Sequence, residues 1–522
     1  MTGIVSHLCC TLSRTRAPLL AALLSIGLPG YATAASSDVA LLRGPYLQTA
    51  TPNSIIIRWR TDVPTESIVL YGTDSDNLHL LSGDLEETTE HEVALNGLSA
   101  QTKYFYSIGS FFDTLAQGPD YFFFTHPQPG RSKPTRIWAM GDCGTFNTGG
   151  GNQVGVRDAF YNYAANRYTD VWLALGDNAY YDGSDQNYQE NFFDIYPSIL
   201  RQTPLWSTIG NHETPSITDY FNMFSLPQNA EAGGLSSGTE KYYSFDYANI
   251  HFVCLDSELS DRTTDGPMLT WLRGDLEANT NDWLIAFWHS PPYSMGSHNS
   301  DDLTDNFGNM TLMRTNAVRL LESYGVDLVL CGHSHNYERS FLLNGNYGFS
   351  KTLLPSMIKD SGSGRTNETG AYLKPHSGPE ANQGAVYVVA GSSGWATFRW
   401  GFHPVMFIQE LEVGSVVIDI DGQRLDAKFL RETGAIDDYF TIIKGAPAEP
   451  LRFATFRTTA NSVSAQWKSV AGQTYRIQKT LSLETPDWID VTGNILATGA
   501  TTTWTADTPP TGICFFRVKQ MP

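Results

Sequence analysis

The sequence predicts an α/β domain built on fully buried strands, set between two smaller all-β modules. Three observations predict it. Residues 40–126 alternate apolar and polar in short runs about ten residues apart, as a β-sandwich does. From 135 the apolar runs lose that alternation and are separated by helix-like stretches, the pattern of strands covered on both faces. After a second Pro-rich linker at 445–450, strand-like alternation returns and continues to the end.

The totals set bounds on these modules. At 522 residues the chain is too long for one core. A hydrophobic content of 41% with 12% aromatic residues indicates packed domains rather than disorder. The formal charge of −20 argues against nucleic acid or an anionic membrane as a partner, because both require a basic footprint. It leaves a small phosphate-bearing substrate open, since bound cations reverse the field locally.

Taken in order, residues 1–34 read as a secretory leader. Arg14 and Arg16 precede the apolar stretch 18–29, and Ala32-Thr33-Ala34 offers small residues for cleavage. The apolar stretch is too short to span a bilayer, so the expected location is secreted or periplasmic. Cys9 and Cys10 fall in the leader. Cys143, Cys254 and Cys331 lie in or beside apolar runs and read as small buried thiols, and Cys514 as unpaired. Strands are expected at 54–60, 67–72, 91–95 and 104–108, so the first module spans 40–128. A linker rich in Pro and Gly follows it at 126–134. The α/β domain spans 134–444. Buried strands are expected at 137–140, 171–175, 283–287 and 326–330, helices at 186–200, 266–277 and 310–323, and a hairpin around Asp421-Gly422. Residues 358–384, rich in Gly, Ser, Pro and Asn, read as a long loop, either a plain surface excursion or a wall facing a substrate. The last module, 451–522, carries aromatic residues read chiefly as core.

Five short blocks carry the chemistry: Gly141-Asp142-Cys143-Gly144, Gly176-Asp177-Asn178-Ala179-Tyr180, Gly210-Asn211-His212-Glu213, His289, and Gly332-His333-Ser334-His335. Each places a metal-ligating side chain beside a glycine or at the end of an apolar run. In open α/β sheets that strand edge is where ligands bind. Buried carboxylates such as Asp142 and Asp177 are costly unless paired or bound to a metal. Tyr180, three residues past Asp177, adds a hard anionic phenolate suited to a trivalent ion; Tyr181 offers the same group one residue on. Asn211 is a neutral ligand. His333 and His335, two apart, share one face of an extended strand. Two Asp, one Tyr, one Asn and three His suffice for two metal ions sharing one carboxylate, an arrangement suited to phosphoryl displacement.

These blocks, ending in Gly-His-Ser-His-Asn-Tyr-Glu-Arg, resemble the purple acid phosphatase family within the calcineurin-like metallophosphoesterases. So does the flanking text Tyr242-Tyr243-Ser244-Phe245-Asp246, His251-Phe252-Val253 and Leu255-Asp256-Ser257. The resemblance covers about 40–440. Pro45-Tyr46-Leu47-Gln48 and the strands after it are similar to that family's N-terminal fibronectin type III-like domain. The resemblance implies a metallophosphatase β-sandwich flanked by helices. It places Asp142, Asp177, Tyr180 and His335 on Fe3+, and Asp177, Asn211, His289 and His333 on a divalent ion (Fe2+, Zn2+ or Mn2+), with Asp177 bridging. His212 and His298 become catalytic groups that contact phosphate or protonate the leaving oxygen. The activity it implies is acid phosphomonoester hydrolysis by a metal-bound hydroxide, with a phosphodiesterase or nucleotide pyrophosphatase as the alternative and a non-catalytic surface-binding protein as a remote one. Two departures stand out: Ala286-Phe287-Trp288-His289 replaces the family's usual Val-x-x-His, and His298-Asn299 stands where plant members tend to carry two adjacent His. Neither the physiological substrate nor the oligomeric state is legible.

Overall fold

The computed structural model describes residues 39–145, 152–445, 451–469, 474–499, 501–507, 512 and 514–521. The leader-like segment with Cys9 and Cys10, and residues 446–450 of the second linker, lie outside the described residues.

The first module is a sheet of six strands in which Leu41–Gln48, Ser54–Gly72, Lys103–Gly109 and Thr114–Ala116 follow one another. Leu80–Asn96 pairs with the second of these and Phe122–Phe124 with the third. Its core holds Ile55, Ile57, Trp59, Val69, Tyr106 and Phe123. The separate strands expected at 54–60 and 67–72 are one continuous strand. Its register against Leu80–Asn96 shifts between Arg60 and Ser67, the interval that contains Pro64. A proline donates no ladder hydrogen bond, and a bulge absorbs it without ending the strand. Buried polar contacts seal this module to the next. Arg43 reaches Asp185 at 2.9 Å and Gln189 at 2.9 Å, and the Tyr46 hydroxyl donates to the Met223 carbonyl at 2.7 Å.

Two seven-stranded sheets face each other in the central domain. One runs Tyr243–Tyr247, Ile250–Cys254, Trp283–Trp288, Leu328–Cys331, Val386–Ala390, Tyr337–Ser340, Met406–Glu410. The other runs Tyr372–Lys374, Ile436–Lys444, Arg424–Arg431, Gly414–Asp421, Thr135–Met140, Val171–Ala174, Leu205–Ser207. The continuous apolar runs now have a cause. Ile285 and Phe287 point into the core between the sheets, with Trp172, Ile418 and Phe429. Leu284, Ala286 and Trp288 point outward against Leu269 and Leu272 of the helix Pro267–Ala278. Both faces are dry, so both are apolar. Four adjacent strands of the first sheet, and Thr135–Met140, Val171–Ala174 and Leu205–Ser207 of the second, run parallel to one another. Parallel strands deliver all their C-terminal ends to one edge.

The helical segments expected at 186–200 and 310–323 form, but in short pieces with π-helical turns at Gln189–Phe193 and Met313–Val318. The hairpin forms with Asp421 opposite Arg424. The 358–384 stretch is more structured than a loop. Ile358–Asp360 pairs with Leu342–Leu343, and Tyr372–Lys374 adds a parallel edge to the second sheet. Arg365, Tyr372 and Lys374 tie the stretch to Asp438, Arg339 and Asp327. The last module forms two small sheets around Trp467, Tyr475, Ile477 and Val518. Cys143, Cys254 and Cys331 are buried free thiols, and Cys514 is also unbridged. Among the described residues, no helix is long and apolar enough to cross a membrane.

A buried imidazole pins the helix Pro267–Ala278 to the sheet. His251 Nδ1 lies 2.7 Å from Asp246 Oδ1, on the antiparallel neighbour, and Nε2 lies 2.8 Å from Asp275 Oδ2 on the helix. Burial lowers its pKa, but the hydrogen bonds and charges of both carboxylates outweigh that and raise it to about 9. A raised pKa stabilises the fold fully below pH about 6.5 and the contribution is lost as pH climbs through about 9. Urea unfolding from pH 6.5 to 9.5 should therefore show a loss on the order of 3 kcal/mol that His251→Gln lacks. Parallel pH dependences in the two proteins would refute this pinning role.

Candidate metal centre

All five ligand blocks emerge at the common edge. Asp142 follows Thr135–Met140, Asp177 follows Val171–Ala174, Asn211 follows Leu205–Ser207, His289 follows Trp283–Trp288, and His333 follows Leu328–Cys331. Asp142, Asp177 and His333 hold left-handed backbone, at φ 55°, 51° and 67°. Such φ values cost about 1 kcal/mol or more for a residue with a side chain, and they concentrate at functional sites. Each of the three follows a glycine. At Gly176 (φ +85°) a Cβ would meet His289 Nδ1 at 2.7 Å; at Gly210 it would meet Asp177 Oδ1 at 2.2 Å. Only bare backbone lets the loops approach this closely.

The side chains converge in two groups. The Tyr180 hydroxyl lies 3.1 Å from each of Asp142 Oδ1, Asp177 Oδ2 and His335 Nε2, and His335 Nε2 lies 3.3 Å from Asp142 Oδ1. In the second group His289 Nε2 is 3.1 Å from Asn211 Oδ1 and 3.4 Å from Asp177 Oδ2. Ligand atoms of Asp177, His289 and His333 all fall within 4.8 Å of one another. The same atom, Asp177 Oδ2, belongs to both groups.

The donor set fits two cations. A hydroxyl carries one proton and satisfies one acceptor at a time, yet Tyr180 faces three. His333 Nε2 is buried with no hydrogen-bond partner. Burial and then the neighbouring His298, His289, His335 and His212 hold the His333 pKa well below the usual histidine value, so it is the neutral, ligating form. Burial pushes Asp177 up, but His289 and His212 outweigh it and leave the carboxyl ionised below its usual range. His289 is held up by that same carboxylate against the effect of burial. Its Nδ1 lies 2.8 Å from the Leu175 carbonyl, which fixes the tautomer and leaves Nε2 to the site.

The two histidines expected beside the metals are both at the cleft. His212 Nδ1 lies 2.5 Å from the Tyr181 carbonyl, and its Nε2 is 3.9 Å from Asp177 Oδ2. His298 stacks on His333 with ring centroids 3.8 Å apart. Its Nδ1 is 2.8 Å from Asp305 Oδ1, while Asp305 Oδ2 accepts from the Asn299 amide. Tyr181 is 64% exposed, whereas Tyr180 is buried, which separates the two tyrosines.

Two residues of this site escaped the sequence reading as contributors. One is Asp305, which turns His298 and sits in an acid-rich stretch with no distinguishing signal. The other is Glu213. Its fully buried carboxylate accepts from the amides of Asp177 (2.9 Å), Asn178 (2.8 Å) and Gly210 (2.8 Å), and from the Tyr188 hydroxyl at 3.1 Å. Its only sequence signal is an acid directly after Asn211-His212.

Candidate ligands thus converge at the strand edge of a double sheet, in the region that matches a calcineurin-like phosphoesterase model. The family model so described matches residues 135–337, and that of the purple acid phosphatase N-terminal domain matches 45–125. In both regions the chain is similar to purple acid phosphatases. Curated relatives include purple acid phosphatase 15 of Arabidopsis thaliana, 29% identical over 48% of this chain and 49% of its own length. Phosphoenolpyruvate phosphatase of Allium cepa is 28% identical over 56% of this chain and 61% of its own. The chain thus spans about half to two thirds of the curated relatives it matches. Among solved structures, purple acid phosphatase PPD1 from Lupinus luteus seeds shares the fold at TM-score 0.61, 19% identity, 77% of this chain and 75% of that one. The structure of PhoD does so at TM-score 0.56 and 14% identity, over 79% of this chain and 92% of that one.

The Glu213 clamp makes a prediction. In Glu213→Gln one amide N–H₂ must face backbone N–H groups, leaving buried donors unsatisfied at a cost of about 1–3 kcal/mol. Metal affinity, read by chelator competition, should fall roughly 10–100-fold in protein that still folds. Unchanged affinity would show that Glu213 does not organise the ligand loops.

Proposed function

We propose that this chain is an exported, binuclear metal-dependent acid phosphatase that hydrolyses phosphomonoesters. The observation that carries the reading is the sharing of Asp177 Oδ2 between the Asp142–Tyr180–His335 group and the Asn211–His289–His333 group. Export rests on the leader-like residues 1–34. Asp142, Asp177, Tyr180 and His335 would hold Fe3+. Asp177, Asn211, His289 and His333 would hold a divalent ion, Fe2+, Zn2+ or Mn2+. When bound, the two cations supply positive charge against the phosphate oxygens and acidify water, so that a nucleophile is available below neutral pH.

The protein's own groups do the rest. Neutral Asn211 leaves more charge on the ion it holds than a carboxylate would. Tyr180 and Asp142 add anionic oxygens to the other ion and favour its trivalent state. His212 and His298 each have Nδ1 engaged, by the Tyr181 carbonyl and by Asp305 respectively. Each therefore presents Nε2 to the cleft. A proton held there can pass to the ester oxygen as it leaves, and the same N–H groups can bind phosphate oxygens beforehand. Asp305 positions His298 by holding its Nδ1.

Turnover of p-nitrophenyl phosphate against bis-p-nitrophenyl phosphate tests the monoesterase reading. The monoester should be preferred by at least about tenfold in kcat/KM, with an optimum below pH 7. Preference for the diester would move the protein to the phosphodiesterases. Tyr180 has a spectroscopic test. A phenolate on Fe3+ gives a visible charge-transfer band, so Tyr180→Phe should bleach the oxidised protein and Tyr181→Phe should not. A band that follows Tyr181 would reverse the assignment.

A further inference from the structure

The metal centre accounts for the phosphate but not for what the phosphate is attached to. Seven tryptophans of this chain are fully buried, Trp59, Trp138, Trp172, Trp206, Trp283, Trp288 and Trp467. Trp400 is 68% exposed, and Phe398 and Phe402 beside it are 60% and 50% exposed. Large apolar side chains grouped in water mark a contact surface.

This group is fixed to the wall of the cleft. Its strap starts at Trp395, whose ring is 5.2 Å from that of His335, and the Thr397 amide donates to the His335 carbonyl at 3.0 Å. The Trp400 amide donates to the Gly296 carbonyl at 2.9 Å and its indole Nε1–H to the Ser297 carbonyl at 3.0 Å. Ser297 precedes His298. The indole is therefore held at its polar end while its ring stays exposed, and Phe398 meets it edge-on at 5.6 Å. An exposed ring with its N–H already committed has only its faces and edges to offer.

The charges nearby are mixed: Asp302 is exposed and Asp305 sits beside His298, whereas Arg399, between Phe398 and Trp400, is itself exposed. Stacking on the ring faces depends on neither sign.

We infer that Trp400, with Phe398, forms a stacking subsite for an aromatic ring on the leaving-alcohol side, making aromatic monoesters the preferred substrate class. The inference rests on the phosphatase reading and deepens it. Two sources share this chemistry, a phenolic ester and a nucleoside monophosphate whose ring is carried through a sugar.

Calorimetry on the metal-loaded full chain tests it without turnover, using 2-naphthylmethylphosphonate against n-butylphosphonate. The aromatic ligand should bind about tenfold more tightly, the scale of one ring-on-ring contact. Trp400→Ala should reduce that ratio to within about twofold of unity, and Trp400→Phe should keep most of it, since a ring remains while the Ser297 bond is lost. The non-hydrolysable phosphonate analogue of adenosine 5′-monophosphate, titrated in parallel, distinguishes the sources: loss of its affinity in Trp400→Ala extends the subsite to nucleosides, and retention confines it to phenolic esters. Equal affinity of the two phosphonates in the native protein, or a preference that survives Trp400→Ala, would overturn the subsite. Failure of both phosphonates to bind would instead overturn the phosphatase reading beneath it.

Discussion

One buried carboxylate holds the site together. Glu213 gathers the backbone amides of Asp177, Asn178 and Gly210 and the hydroxyl of Tyr188 around a single pair of oxygens. Two loops from different strands are thereby locked at a separation that only glycine backbone permits. Burial and the adjacent Asp177 charge push the Glu213 carboxyl up, so its charge stands against a low dielectric and a like neighbour. The amide donors offset that cost, and the loops in turn cannot relax without orphaning a charge. The left-handed backbone at Asp142, Asp177 and His333 persists because such contacts over-determine it. His333 donates its amide to Asp142 Oδ2 at 2.7 Å, and His212 donates its amide to Asp177 Oδ1 at 2.9 Å. Ligand carboxylates thus serve the backbone with one oxygen and the centre with the other.

The scaffold explains why seven candidate ligands from five blocks meet at all. Three parallel strands of one sheet and the parallel strands of the other end at one edge, so residues 142, 177, 211, 289 and 333 arrive together although almost two hundred positions separate them. The rigid elements carry the precision and the short loops carry the chemistry, the usual division in α/β proteins. The first module is bonded into this scaffold through Arg43 and Tyr46 and is no loose appendage.

Electrostatics within the site are divided by residue. Against burial, the Asp177 carboxylate raises the His289 pKa, so a cation at Nε2 would have to displace that proton, while burial and then the neighbouring imidazoles keep His333 low. His212 and His298 are anchored by Nδ1 to a carbonyl and a carboxylate, and differ accordingly. In a chain of formal charge −20 with acidic side chains at this centre, a phosphate site would depend on bound cations to reverse the field locally.

Much of this was legible in the chain itself. Continuous apolar runs at 137–140, 171–175, 283–287 and 326–330 determine strands with two dry faces, because no other placement buries every residue of such a run. A glycine beside an acid or histidine after three of these runs, and a histidine after the fourth, point to close loops and candidate ligands. Asp142, Asp177, Tyr180, Asn211, His289, His333 and His335 converge as their types and order foretold, and His212 and His298 stand beside them. Other features were decided only in three dimensions. Nothing local says that Glu213 clamps amides thirty-five residues away, that Asp305 turns His298, or that Pro64 bulges a strand and does not end it. The 358–384 stretch read as a loop because Gly and Pro hide its two short strands, whose partners at 342–343 and 436–444 are distant. Local sequence determines periodicity and chemical type; which groups meet depends on strand order and loop closure, which are properties of the whole fold.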